Sequence, residues 1–167
     1  MTVIGIDESY KNIGISVIKD NEVIKHKSYS YKGCKNKTEK RKYVKKMIKY
    51  FTNKYKCDII ILERVRHFSA GFMSKSYIAA TSALIACIVD TAYEFNIPVY
   101  SVDTRSWKSQ IVGTSKHKEN ESKKQPTIDF VQNVLGIDVK DDDEADAICI
   151  GLYGFIPKEK QKLIKET

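Results

Sequence analysis

The chain reads as an α/β domain built on a five-stranded mixed sheet, with its first three strands antiparallel and helices flanking it. Three observations predict this. β-patterned runs at residues 2–7, about 12–18 and about 22–31 are separated only by short polar turns around Ser9 to Lys11 and at Asp20-Asn21, and connections that short make an antiparallel meander. Beyond residue 32, helical periods alternate with apolar strands at 57–63 and 97–102. Carboxylates punctuate these elements: Asp7 follows Thr2-Val3-Ile4-Gly5-Ile6, Glu63 follows Ile59-Ile60-Ile61-Leu62, and Asp143 and Asp146 open the last helical segment.

Each element has its own justification. A helix over about 38–55 places Val44, Met47, Ile48, Phe51 and Tyr55 at helical spacing and leaves Lys42, Lys45, Lys46 and Lys49 on the other face. The run at 57–63 is apolar without alternation, as a central strand covered on both sides must be. A long helix over about 76–95 leads to the strand at 97–102, and a short helix follows near 104–111. The stretch 113–124 is a polar loop, expected to be mobile or to order only on a substrate, since 114–124 holds no apolar residue. Pro126 then opens a helix at its first turn, where its missing N–H costs nothing. The last helix covers about 143–155, and a charged tail about 158–167. The whole of 1–167 is expected to form one domain, long enough to bury a core without disulfides.

Composition narrows the partners. Lys and Arg number 29 against 21 Asp and Glu, a net charge of +8, which favours a polyanion, nucleic acid before membrane. Cys34, Cys57, Cys87 and Cys149 lie far apart with no C-x-x-C pair, so neither structural zinc nor a disulfide framework is expected, and the compartment is read as reducing. The chain opens directly on a strand, and the near-uncharged stretch 77–89 falls short of the ~20 residues that cross a bilayer. A soluble intracellular protein without a membrane partner is the expectation.

The acids carry the chemistry. A carboxylate directly after an apolar strand is held by rigid backbone at the end of the sheet, where losing water is costly unless a cation compensates. Asp143 and Asp146 are three apart and share a helix face. The helix dipole alone accounts for acids at such a position, but it explains neither Asp7 nor Glu63. An all-oxygen donor set suits hard ions, Mg²⁺ or Mn²⁺, which neutralise charge on a phosphoryl group in transfer. The pair Gly5-Ile6-Asp7 and Gly14-Ile15-Ser16 also resembles the first phosphate-binding hairpin of actin-like and sugar-kinase ATPases. Those close two such domains on a nucleotide, and this chain has room for one, so no nucleotide cofactor is expected.

The order of elements is RNase H-like, and with these residues the chain resembles the RuvC-type Holliday junction resolvases, most closely their poxvirus branch. The resemblance runs from Ile4-Gly5-Ile6-Asp7 through Ile61-Leu62-Glu63-Arg64-Val65 and Trp107-Lys108-x-x-Ile111-Val112-Gly113 to Asp143-Glu144-Ala145-Asp146-Ala147. It implies that Asp7, Glu63, Asp143 and Asp146 ligate two Mg²⁺ ions, with Mn²⁺ able to substitute, ~4 Å apart and bridged by Asp7. Lys108 matches the family's lysine after the fifth strand and would offset charge on the scissile phosphate. The second family lysine falls on Lys124 or Lys123, beyond a polar insert longer than in bacterial relatives. The implied activity is resolution of four-way DNA junctions by paired symmetric nicks, serving recombination and the resolution of viral replication concatemers. The implied location is host cytoplasm at viral replication sites, with packaging in the virion open. Two other classes remain: a junction- or RNA-binding module with vestigial acids, and a small nucleotide-binding domain.

Three further surfaces complete the expectation. Residues 32–56 carry Lys42, Lys45, Lys46 and Lys49 among eleven cations, against Glu39 as the one nearby acid, a face suited to tracking phosphates. Arg64, Arg66, Phe68 and Phe72 mix cations with aromatics in a segment fit to wedge or stack on unpaired bases, although both phenylalanines also suit a core; His67 could assist the metal site, though a lone loop histidine usually does not. The helix at 77–89 is apolar nearly all round. Its stripe Ala79, Ala83 and Ala86 would form the contact of a homodimer.

Overall fold

The computed structural model describes residues 1–64, 75–113 and 125–166. Among the described residues six strands form one sheet: β1 (Thr2–Glu8), β2 (Asn12–Lys19), β3 (Glu22–Ser30), β4 (Ile59–Glu63), β5 (Val99–Val102) and β6 (Ile164–Glu166), in the order β3-β2-β1-β4-β5-β6. The first three strands are antiparallel, as the short turns require, and β4 and β5 are parallel to β1 and to each other. Left-handed backbone at Asp20 and Asn21 makes the β2–β3 turn, the φ > 0 geometry that a two-residue hairpin demands.

The sequence predicts five strands and a charged tail, and the sixth strand is the correction. Ser101, Tyr100 and Val99 of β5 pair antiparallel with Ile164, Lys165 and Glu166. Without them β5 would leave a row of backbone donors and acceptors open at the sheet's edge, and a strand of three residues bearing Lys165 and Glu166 is a typical way to close one. Leu163 of the same tail packs on the core, as does Ile156 just before it.

Alternation along the strands divides the core in two. Ile4, Ile6, Ile13, Ile15, Ile60 and Leu62 face α1 (Lys37–Tyr55) and α2 (Lys75–Tyr93). Val3, Ile61 and Val102 face α5 (Asp142–Leu152), together with Trp107 from α3 (Thr104–Trp107) and Val131 beyond α4 (Gln125–Asp129). Helix α3 continues as a π-helical turn over Lys108–Val112, and α4 likewise over Phe130–Val134. A wide turn of this kind displaces the register of the side chains after it, which hydrophobic periodicity does not announce.

Helix α5 lies directly on β1 and β2 because two strand residues lack side chains. A Cβ on Gly5 would overlap the carbonyl oxygen of Ala147, and one on Gly14 the carbonyl oxygen of Asp143. The Ser16 hydroxyl donates to the Ala147 carbonyl at 2.7 Å. The side chain of Asp141 caps the helix by accepting from the Glu144 N–H at 2.9 Å. Glu144, almost fully buried, accepts from the Ser28 N–H at 3.2 Å and lies 3.1 Å from His26 Nδ1, tying α5 to β3.

Helix α2 is longer than the apolar stretch 77–89: its 19 residues meet the length and composition of a membrane-crossing helix, a test that core helices also pass. It packs on α1 and buries Thr81, Leu84, Ile88, Thr91 and Ala92 against the sheet.

Candidate active site

The acids meet at the C-terminal ends of β1 and β4. Ile6 stands opposite Leu62 in the parallel ladder, so Asp7 and Glu63 follow on neighbouring strands and on the face that α5 covers. Asp7 stands opposite Gly14, the residue over which Asp143 passes. The two glycines therefore do more than allow packing. They bring the first turn of α5, and Asp143 and Asp146 with it, down onto the strand ends.

The convergence shapes the electrostatics of the acids. Burial, with Glu63, Asp146 and Asp143 added to it, holds the Asp7 carboxyl well above the usual carboxylate range. Asp146 is pushed up to about 6, first by burial and then by Glu63, while Lys108 and a hydrogen bond with Thr127 pull the other way. One oxygen of Asp146, Oδ1, is buried without a hydrogen-bond partner. A buried carboxylate oxygen that nothing satisfies is costly, so its retention in a cluster of like charges needs a reason.

The remaining acids are oriented by neutral donors. The Thr104 hydroxyl donates to Glu63 Oε1 at 2.6 Å and the Trp107 indole N–H to Glu63 Oε2 at 2.8 Å. The Asn12 amide donates to Asp143 Oδ2 at 2.8 Å. Among the described residues no three His, Cys, Asp or Glu side chains already close into a metal-ligand cluster. The donor set still fits a hard divalent cation on three counts: it is all carboxylate, it is desolvated enough to raise two of the acids, and it includes a buried oxygen without a hydrogen-bond partner.

Sequence reasoning names all four acids and Lys108, and the structure brings them together. It does not name Thr104, Trp107, Asn12 or Thr127, since nothing in a sequence says which hydroxyl or indole reaches a carboxylate. It also passes over Glu8, whose side chain points to the opposite face of β1. There Glu8 is buried, and the Tyr31 hydroxyl donates to its Oε1 and Oε2 at 3.0 and 2.8 Å. Burial raises the Glu8 carboxyl well above its ordinary value, while the Tyr31 hydrogen bond and Lys40 lower it.

The proposed DNA-contacting residues divide. Lys42, Lys45 and Lys46 are exposed along α1 and Lys49 is half-buried. Within 32–56 Glu39 is the single acid, but Glu94, just past the end of α2, pairs with Lys45 at 2.5 Å and Lys49 at 2.8 Å. It lies 45 residues beyond Lys49, so local i to i+4 reasoning does not find it. Arg64 is exposed at the end of β4. Arg66, His67, Phe68, Phe72, Lys123 and Lys124 lie outside the described residues. Ala79 and Ala86 are exposed on α2 and Ala83 is half-buried. A separate open depression, lined by Lys11, Asn12, Lys32 and Lys40, adjoins the Asn12 contact with Asp143.

No protein-family model matches the chain, and no curated protein matches it by sequence. Solved structures do match in fold. RuvC of Thermus thermophilus in complex with a Holliday junction substrate superposes with a TM-score of 0.74 at 15% identity, covering 91% of this chain and 90% of that one. A second T. thermophilus RuvC structure gives 0.69 at 15% identity, covering 91% and 92%. The yeast mitochondrial Holliday junction resolvase Ydc2 gives 0.56 at 15% identity, covering 90% of this chain and 75% of that one. The RNase H-like fold is thereby established.

Proposed function

We propose that this chain is a divalent-metal-dependent endonuclease that resolves four-way DNA junctions. The observation that carries the reading is the gathering of Asp7, Glu63, Asp143 and Asp146 at one end of the sheet, with two carboxyls raised and one oxygen of Asp146 buried without a partner. The fold it sits in is that of T. thermophilus RuvC, a protein solved on a Holliday junction substrate. These four acids would hold the metal, Mg²⁺ with Mn²⁺ as substitute. Bound there, it would supply Lewis-acid stabilisation of phosphodiester hydrolysis, with no side-chain nucleophile required.

The chain's own residues do the rest. Lys108 lies close enough to act on Asp146 and is placed to offset negative charge that develops on a phosphate drawn to the acids. The depression lined by Lys11, Lys32 and Lys40 offers cations beside the acidic cluster, and the exposed lysines of α1 extend the basic surface away from it. Resolving a junction takes two nicks on opposed strands, so the working unit is a twofold dimer, built on Ala79, Ala83 and Ala86. On this reading its task is separating duplexes joined by recombination or by poxviral replication.

The test is a labelled four-way junction incubated with the protein in Mg²⁺ and in chelator. Paired symmetric nicks that require the metal are expected. Binding without cleavage in any divalent metal would favour the junction-binding module and sink the nuclease.

A further inference from the structure

Glu63 has both carboxylate oxygens engaged by neutral donors from a single short element. Thr104 and Trp107 are three apart on α3, which puts them on one face, and they reach Oε1 at 2.6 Å and Oε2 at 2.8 Å respectively. The element is itself anchored. Asp103 caps it by accepting from the Arg105 N–H at 2.8 Å, and Trp107 is fully buried in the core under α5. β5, which feeds α3, pairs with β4 so that Val102 stands opposite Glu63. The donors and the acceptor are therefore fixed by the same ladder.

An ionised carboxylate has about four lone-pair sites, and two donors, one to each oxygen, leave a lone pair free on both. Such a pair of contacts sets the carboxylate's plane without using up its capacity to ligate. A buried indole N–H also needs an acceptor, so Trp107 cannot leave Glu63 without a penalty of about 1–3 kcal/mol for the orphaned donor. The next residue, Lys108, acts on Asp146, so one short helix touches the β4 acid and influences the α5 acid.

We infer that Thr104 and Trp107 are positioning residues that hold Glu63 in the orientation a hard divalent cation requires, and that Trp107, the only tryptophan of the chain, reports the site's occupancy through its indole. The inference rests on the metal-holding reading above. Groups that orient a metal-ligating side chain typically change metal affinity 10–100-fold when removed, an effect of about 1.4–2.7 kcal/mol.

The experiment is titration of Mg²⁺, and separately Mn²⁺, into the purified full chain, followed by tryptophan fluorescence and by calorimetric heat. The parent is expected to show a saturable change with the same midpoint in both signals. Thr104→Val keeps the volume and the tryptophan but removes the hydroxyl, and should weaken binding ~10-fold or more, while Thr104→Ser should restore it to within a few-fold. Trp107→Phe, read by heat alone, should weaken binding in the same direction. Thermal melting in chelator separates a merely structural role: if Thr104→Val and Trp107→Phe lower the melting temperature but bind metal as tightly as the parent, the positioning role is overturned and the metal site stands. If the parent itself gives no saturable heat or fluorescence change with either ion, both the positioning role and the metal-holding reading fall.

Discussion

Asp7 and Glu8 are consecutive residues with similar chemistry and opposite circumstances. Both are desolvated and both carboxyls are raised. Glu8, on the α1 side of β1, is met by the Tyr31 hydroxyl and by the field of Lys40, whose ammonium donates to the Tyr10 carbonyl at 2.8 Å and stands 3.4 Å from the Tyr10 ring centroid. Asp7, on the α5 side, faces three further carboxylates that each raise it. The same backbone segment thus supports an acid whose surroundings compensate it and an acid whose surroundings do not. Burial is common to both; what differs is the neighbours, which for Glu8 include a hydroxyl donor and a cation as well as Asp143, and for Asp7 are all further acids.

The comparison breaks most sharply at Asp7. Asp7→Asn is expected to lower the cleavage rate by about 10³-fold or more while junction binding is kept or tightened, measured as single-turnover cleavage beside a binding titration. Lys108→Ala should slow the chemical step by roughly 10², the scale of one lost transition-state contact. Cleavage within a few-fold of the parent in both variants would show that the α5 side is no more functional than the Glu8 side.

The α1 side should respond in stability instead. Tyr31→Phe removes the donor from buried Glu8 and should destabilise the fold by about 1–3 kcal/mol in denaturant, with little change in the cleavage rate of the folded protein. On the α5 side the sign reverses. A carboxyl raised to about 6 in the folded state favours folding while it is protonated, below its unfolded value, and that contribution is lost as pH rises through 6. Asp146→Asn should therefore stabilise the protein in chelator at pH 8, by up to about 3 kcal/mol, and hardly at all at pH 4. A stability gain that does not grow with pH would contradict the desolvated, unpaired state of this group.

Much of this was legible in the sequence, for reasons that differ between elements. The antiparallel meander follows from turns too short for a crossover, and the position of β4 from an apolar run without alternation. Asp7 and Glu63 stand out because each ends such a run. What escaped is what only three-dimensional neighbours decide. The strand Ile164–Glu166 is hidden in a charged tail because a short edge strand needs no apolar pattern. Glu8 drew no notice beside Asp7 because alternation puts it on the other face, where only the fold shows that Tyr31 meets it. Thr104 and Trp107 form no metal-ligand pattern, and Glu94 reaches Lys45 and Lys49 from the turn after α2.

The smallest expected effect also lies on the α1 side. Exposed Lys42 and Lys46, replaced jointly by Gln, should flatten the plot of log affinity against log salt by ~1.8 if each meets a phosphate on duplex DNA. The same change at Lys45 and Lys49 should do less, since Glu94 already competes for both ammonium groups, though an exposed pair of this kind is worth little in energy. Equal slopes for the two double variants would mean that Glu94 is displaced when DNA binds.

The central claim, that the α5 side of the strand end performs the chemistry and the α1 side only supports it, is tested most directly by Asp7→Asn and Glu8→Gln on one four-way junction in Mg²⁺, with folding of both variants verified by thermal melting. The account predicts no paired nicks from Asp7→Asn and cleavage within a few-fold of the parent from folded Glu8→Gln. Parental cleavage by Asp7→Asn, or its loss in a fully folded Glu8→Gln, would contradict it.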